Sequence, residues 1–169
     1  MHIPANSQTL IDFLSIKPEL VNCICLFGDH GGHGRVACQE TGRISWDSPQ
    51  YTFLHFRFDG CICGDPNRKK CDCIIFRFRD NERPTMFVIE TKGDNPSFSE
   101  AKEQIEYCLE TMIDLLPNPK DQFRILPVLC AGRRTPFMKE ASFGNQVKIL
   151  GKKRPISLCL HTENINGLC

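Results

Sequence analysis

Three side chains in the middle of this chain have the types and spacing to act on a phosphate ester. Asp72 is the second residue of the run CDCIIFRFR, and Glu90 and Lys92 stand two apart in TMFVIETK. Side chains alternate along an extended strand, so Glu90 and Lys92 share a face, as Asp72 does with Ile74, Phe76 and Phe78. Only the polar segment DNERP separates the two runs, which suits an antiparallel hairpin. If the turn centres on residue 81 or 82, Asp72 faces Glu90 or Lys92. Cross-strand neighbours on one face lie roughly 5 Å apart, so two carboxylates and an amine would converge on a space that suits one hydrated metal ion. A slip of one residue would turn the strand over and destroy the arrangement. Two hard oxygen ligands can hold Mg²⁺ or Mn²⁺ while water and phosphate oxygens fill the other positions, and a coordinated water becomes a better nucleophile as its pKa falls. A lysine alongside can orient or deprotonate that water, or offset charge in the transition state. Phosphodiester hydrolysis is the chemistry these parts suit. The plain alternative is that Asp72 and Glu90 are strand-end charges with Lys92 as their salt-bridge partner.

The elements around these residues follow from periodicity. YTFLHFRFDGCI places Leu54, Phe56 and Phe58 on one face and His55, Arg57 and Asp59 on the other, the pattern of a half-buried strand that precedes the hairpin. Beyond Lys92, Ser97 with Glu100 three residues on forms a capping box. Ala101, Ile105, Cys108, Leu109, Met112 and Leu116 then recur at helical spacing until two prolines stop the helix. FRILPVLCAG reads as a strand buried on both faces, with weaker strands at QVKILG and PISLCLH. At the start, Ser7 caps a helix over residues 7–21 that carries Leu10 and Leu14 and is kinked or restarted at Pro18. The Gly-rich, polar segment between that helix and Tyr51 reads as a loop with at most one short strand. The order is helix, antiparallel meander, helix and buried strand: an α/β fold with a mixed sheet, in one domain over residues 1–169.

Composition narrows the classes. With 41% hydrophobic and 24% charged residues the chain is an ordinary globular one rather than disordered, collagenous or coiled-coil. No apolar run is long enough to span a bilayer, and the first residues lack the pattern of a signal peptide, so a membrane partner is not expected. Lys and Arg number 21 against 20 Asp and Glu, so any nucleic-acid surface must be local. Clusters at Arg68-Lys69-Lys70, Arg133-Arg134 and Lys152-Lys153-Arg154 stand beside expected turns. Of these, Lys69, Lys70, Arg133 and Arg134 are the expected phosphate contacts. The eleven cysteines are odd in number and several sit in apolar runs, as buried thiols of a reduced cytoplasmic protein do. A structural Zn²⁺ held by Cys61, Cys63, Cys71 and Cys73 is a competing use, although paired cysteines one residue apart are atypical. A second set, Cys23, Cys25, His30, His33 and Cys38, has ligand types without regular spacing.

Asp72 at the start of one strand, Glu90-Thr91-Lys92 at the end of the next, then a helix and a buried strand, resembles the PD-(D/E)XK nuclease superfamily over roughly residues 53–130. The segments DGCIC, KKCDCIIF, FVIETKG and EAKEQIEYCLET are similar, in that order, to small prokaryotic members. The resemblance implies a restriction-endonuclease-like fold, with Asp72 and Glu90 as ligands of Mg²⁺ or Mn²⁺ and Lys92 as the catalytic lysine. It implies DNA as the substrate, with RNA left open, and a homodimer or a subunit of a larger restriction or repair complex. Gln104 lies on the following helix where related nucleases place a polar residue near the scissile phosphate, and it joins the catalytic set; a solvated helix flank is its bland alternative. Cys71 stands where many members carry proline. The acidic residue that members carry on the first helix has no clear counterpart; Glu19 is the first choice as metal ligand and Asp12 the second. Asp59 is an auxiliary metal ligand if the turn before Asp72 centres between residues 65 and 66. The competing function is a nuclease-like module that no longer cuts and binds nucleic acid or protein, with zinc as its support.

Overall fold

Two strands without a single exposed residue in their ladder carry the molecule. They are β5 (Cys73–Phe78) and β6 (Thr85–Lys92), joined by a tight turn in which the Glu82 N–H donates to the Arg79 carbonyl at 3.2 Å. Asn81 occupies the left-handed region there, φ 62°, which a short polar side chain tolerates better than most. The structure is a computed structural model. It describes residues 18–25, 35–38, 42–45, 50–58, 61–79, 81–92, 97–116, 119–131 and 146–160, with Ser15 and Leu168.

The fold is α/β, built on a mixed six-stranded sheet in the order β1-β4-β5-β6-β7-β10. In it β1 (Ile24–Cys25), β4 (Thr52–Arg57), β5 and β6 run antiparallel, while β7 (Arg124–Ala131) and β10 (Ser157–Leu160) continue parallel to β6. The connection from β6 to its parallel neighbour β7 passes through the helix α1 (Phe98–Leu115), as a parallel pair requires. Ser97 caps α1, its side chain accepting from the Glu100 N–H at 3.4 Å. Phe98, Ala101, Ile105, Cys108, Leu109 and Met112 are its buried stripe. The Leu116 N–H still reaches the Met112 carbonyl, and Pro117 and Pro119 prevent continuation.

Burial splits by strand parity. Ile74, Phe76, Phe78, Met86 and Val88 pack under α1 in the larger core cluster. Cys73, Ile75, Phe87, Ile89, Val128 and Cys130 fill a smaller cluster on the opposite face. The parity of Met86 and Val88 carries Glu90 and Lys92 onto the helix side.

Several expectations change. β4 is more than half-buried: Phe53 belongs to the opposite cluster and His55 is 6% exposed, because both faces of the sheet are covered at this strand. Only the end of the expected first helix is described, as a 3-10 helix over Pro18–Cys23. The polar segment before Tyr51 contains a hairpin, β2 (Arg35–Cys38) with β3 (Gly42–Ser45), rather than at most one strand. The basic cluster after Gly151 is itself a strand, β9 (Lys152–Pro155), paired with β8 (Gln146–Ile149). The cysteines are not all thiols, since Cys23 and Cys61 are joined in a disulfide. Among the described residues no helix is long and apolar enough to cross a membrane.

Candidate active site

The β5–β6 ladder pairs Cys73 with Ile89, so the turn centres on residue 81 and Asp72 stands across from Glu90 just beyond the last ladder pair. The chain bends there. The Asp72 N–H donates to the Ile89 carbonyl at 3.1 Å, one residue out of step with the ladder, and this releases its side chain from strict alternation. Asp72 Oδ2 accepts from the Thr91 N–H at 2.7 Å and from the Thr91 hydroxyl. Thr91 is the partner that spacing alone misses, because alternation turns it away from Glu90 and Lys92.

Glu90 is 2% exposed. Its Oε1 accepts from Lys92 Nζ at 2.9 Å, while its Oε2 has no hydrogen-bond partner among the described residues. Burial, and then the nearby Asp72 carboxylate, push the Glu90 carboxyl up to about 8, with the Lys92 ammonium pulling it the other way. Lys92 Nζ also donates to Gln104 Oε1 at 2.7 Å, and Gln104 Nε2 donates to the Lys70 carbonyl at 2.8 Å. One glutamine on α1 thereby ties the end of β6 to the segment leading into Asp72. Gln104 can take this place because it flanks the stripe that Ala101 and Cys108 bury one turn to either side. Glu90, Lys92 and Gln104 therefore gather at one end of the sheet on its helix side, and Asp72 stands at the same end, close enough for its charge to act on Glu90 but with its carboxylate held by Thr91.

Other expected residues fare differently. The side chain of Glu19, and all of Asp12, Asp59, Arg133 and Arg134, lie outside the described residues. The β4–β5 ladder pairs Arg57 with Cys73, one residue away from the register that would set Asp59 opposite Asp72. Lys69 is exposed and pairs with Glu103 at 3.4 Å, and the neighbouring Lys70 is half-buried beside Gln104. This basic loop borders Gln104 and leads directly into Asp72.

The four-cysteine zinc arrangement is not formed. Cys61 is bonded to Cys23, Cys63 Sγ meets the Tyr107 hydroxyl at 3.2 Å, and Cys71 and Cys73 belong to core clusters on opposite faces. The bend at Asp72 separates that last pair. Burial and the adjacent Cys108 sulfur push the Cys71 thiol well above its ordinary range, which makes it an unreactive core group. Of the irregular second set, Cys23 is spent in the disulfide, and His30 and His33 lie outside the described residues.

Among the described residues no three His, Cys, Asp or Glu side chains converge on one point. Two carboxylates still suit Mg²⁺ or Mn²⁺, since small hard cations keep several waters and bind through one or two carboxylates. Glu90 Oε2, buried and without a partner, is the atom that a cation would satisfy. No family model, curated protein or solved structure matches this chain.

Proposed function

We propose that this protein is a metal-dependent nuclease that hydrolyses phosphodiester bonds in DNA, on a restriction-endonuclease-like sheet. The observation that supports this reading best is the Glu90 carboxyl: buried, bonded to Lys92 through one oxygen and unsatisfied at the other. Asp72 and Glu90 would hold Mg²⁺ or Mn²⁺, which when bound polarises a phosphoryl oxygen and lowers the pKa of a coordinated water. Thr91 fixes Asp72 through Oδ2. Lys92, held between Glu90 and Gln104, keeps an ammonium at the mouth of the site, where it can orient the attacking water and offset charge on the phosphate. Gln104 positions that ammonium. The loop carrying Lys69 and Lys70 supplies positive charge next to the site for the DNA backbone.

Purified protein should nick supercoiled plasmid in the presence of Mg²⁺ or Mn²⁺. Lys92→Ala and Glu90→Ala should each reduce that activity by about 100-fold or more while keeping the native circular dichroism spectrum. Unchanged cleavage by both variants would overturn the reading.

A second reading, a nuclease-like module that binds without cutting, draws on one observation: Asp72 Oδ2 is already occupied by Thr91. Mn²⁺ titration separates the two. The enzyme takes up Mn²⁺ through Glu90, and the module does not.

A further inference from the structure

The opposite end of the same sheet has a different character. There the first residues of β6, β7 and β10 and the β8–β9 hairpin surround an open cavity of about 820 Å³. Thr85 at this end and Lys92 at the other are separated by the length of β6, about 20 Å at the rise of a strand. The cavity is therefore distinct from the candidate active site and owes nothing to that assignment.

Its lining is cationic. Arg77, Arg83, Arg124, Lys152 and Arg154 contribute five positive charges against the two carboxylates of Glu82 and Asp121, in a chain whose formal net charge is only +1. Two of the arginines are held in place. Arg77 is 7% exposed, its guanidinium 4.4 Å from the Tyr51 ring centre and donating to Thr85 Oγ1 at 3.4 Å. Arg83 donates to the Phe123 carbonyl at 2.8 Å. The other three are exposed and form no ion pair among the described residues. Phe123, Leu126 and Ile149 give the cavity an apolar wall.

The rim adds a second signal. The β8–β9 turn is made by Leu150 and Gly151, both left-handed at φ 50° and φ 81°. Glycine takes that conformation freely; leucine does so under strain, and here it also exposes 39% of its surface. Strained residues of this kind cluster at ligand clamps, and Leu150 lines the cavity.

We propose that this cavity binds a phosphate ester of nucleotide size, its phosphates among Arg124, Lys152 and Arg154 and its ring system against the apolar wall and Leu150. The volume falls within the range of about 300–1,000 Å³ usual for small-molecule sites. The same chemistry is offered by a free nucleotide and by one unit of a nucleic-acid strand.

Calorimetric titration of the full chain in EDTA tests this, with ADP and a short oligothymidylate as probes, on wild type and the double variant R124E with R154E. At least one probe should bind saturably and weaken about tenfold or more in the double variant, as expected for lost phosphate contacts. ADP binding identifies a free nucleotide as occupant; oligothymidylate binding without ADP identifies a strand. Both side chains are exposed, so circular dichroism should be unchanged, and Lys152→Glu serves as a second variant if the double one fails to fold. Absence of binding by either probe, or equal binding by wild type and the folded variants, overturns the proposal.

Discussion

Glu90 sits under opposing pulls, and their balance makes it a reporter. Burial and the Asp72 charge hold its carboxyl at about 8, against an ordinary value of 4.5. Between those values the folded chain retains a proton that the unfolded chain has released, so stability must fall as pH rises through the window. Each pH unit is worth up to about 1.4 kcal/mol. Thermal melts of the metal-free protein should therefore give the highest Tm at the acid end, with a decline toward the alkaline end that Glu90→Gln flattens. Added Mg²⁺ should restore Tm chiefly at the alkaline end, where the carboxylate is free to bind it, and should do nothing for Glu90→Gln; equal pH profiles for the two proteins would refute the assignment. Gln104 offers a complementary test. Gln104→Ala removes the acceptor that holds Lys92 and the donor to the Lys70 carbonyl, so plasmid nicking should fall about tenfold or more, at a stability cost of about 1–2 kcal/mol. Activity equal to wild type would leave Gln104 as a strut between α1 and the sheet.

At the scale of elements, the β5–β6 hairpin shows what a sequence reveals and where it stops. Strict alternation and a short polar turn were enough to set Asp72 across from Glu90 or Lys92, because a register error would have turned buried phenylalanines to solvent, and the ladder selects Glu90. α1 was equally legible, since a cap, an apolar stripe and terminal prolines agree. The bend at Asp72 was not, and with it went both the contact with Thr91 and the separation of Cys71 from Cys73. Bends are set by backbone pairing that alternation does not encode. The β8–β9 hairpin was hidden for another reason: Val147 and Ile149 give too short an apolar pattern, and Lys152, Lys153 and Arg154 resemble any solvated surface. The Asp72 anchor predicts a local cost. Thr91→Val keeps the shape and the N–H but removes the hydroxyl donor, which should cost about 1–2 kcal/mol in urea unfolding. No measurable loss would mean that the backbone N–H alone holds Asp72.

Across the whole molecule the sheet has two unlike ends, one with carboxylates, lysine and glutamine, the other with arginines, and one covalent link fastens its outermost strand. Cys23 ends the 3-10 helix that leads into β1, and Cys61 lies in the turn after β4, 38 residues on. Cys23 is buried in the helix-side core and Cys61 packs against it. β1 has only two residues, Ile24 and Cys25, paired with Phe56 and His55, too few to hold a sheet edge by themselves. A link closing a loop of that length limits the unfolded chain by about 2–4 kcal/mol in the loop-entropy account. Reduction should therefore lower Tm measurably, and a Cys23→Ser, Cys61→Ser double variant should melt at the reduced temperature and ignore reductant. The six described free cysteines lie in the core, so they should stay unreactive toward a thiol reagent in the native state under either condition. If reduction instead exposed those six together, the link would be holding the whole core rather than the β1 edge, and the loss of stability would be global.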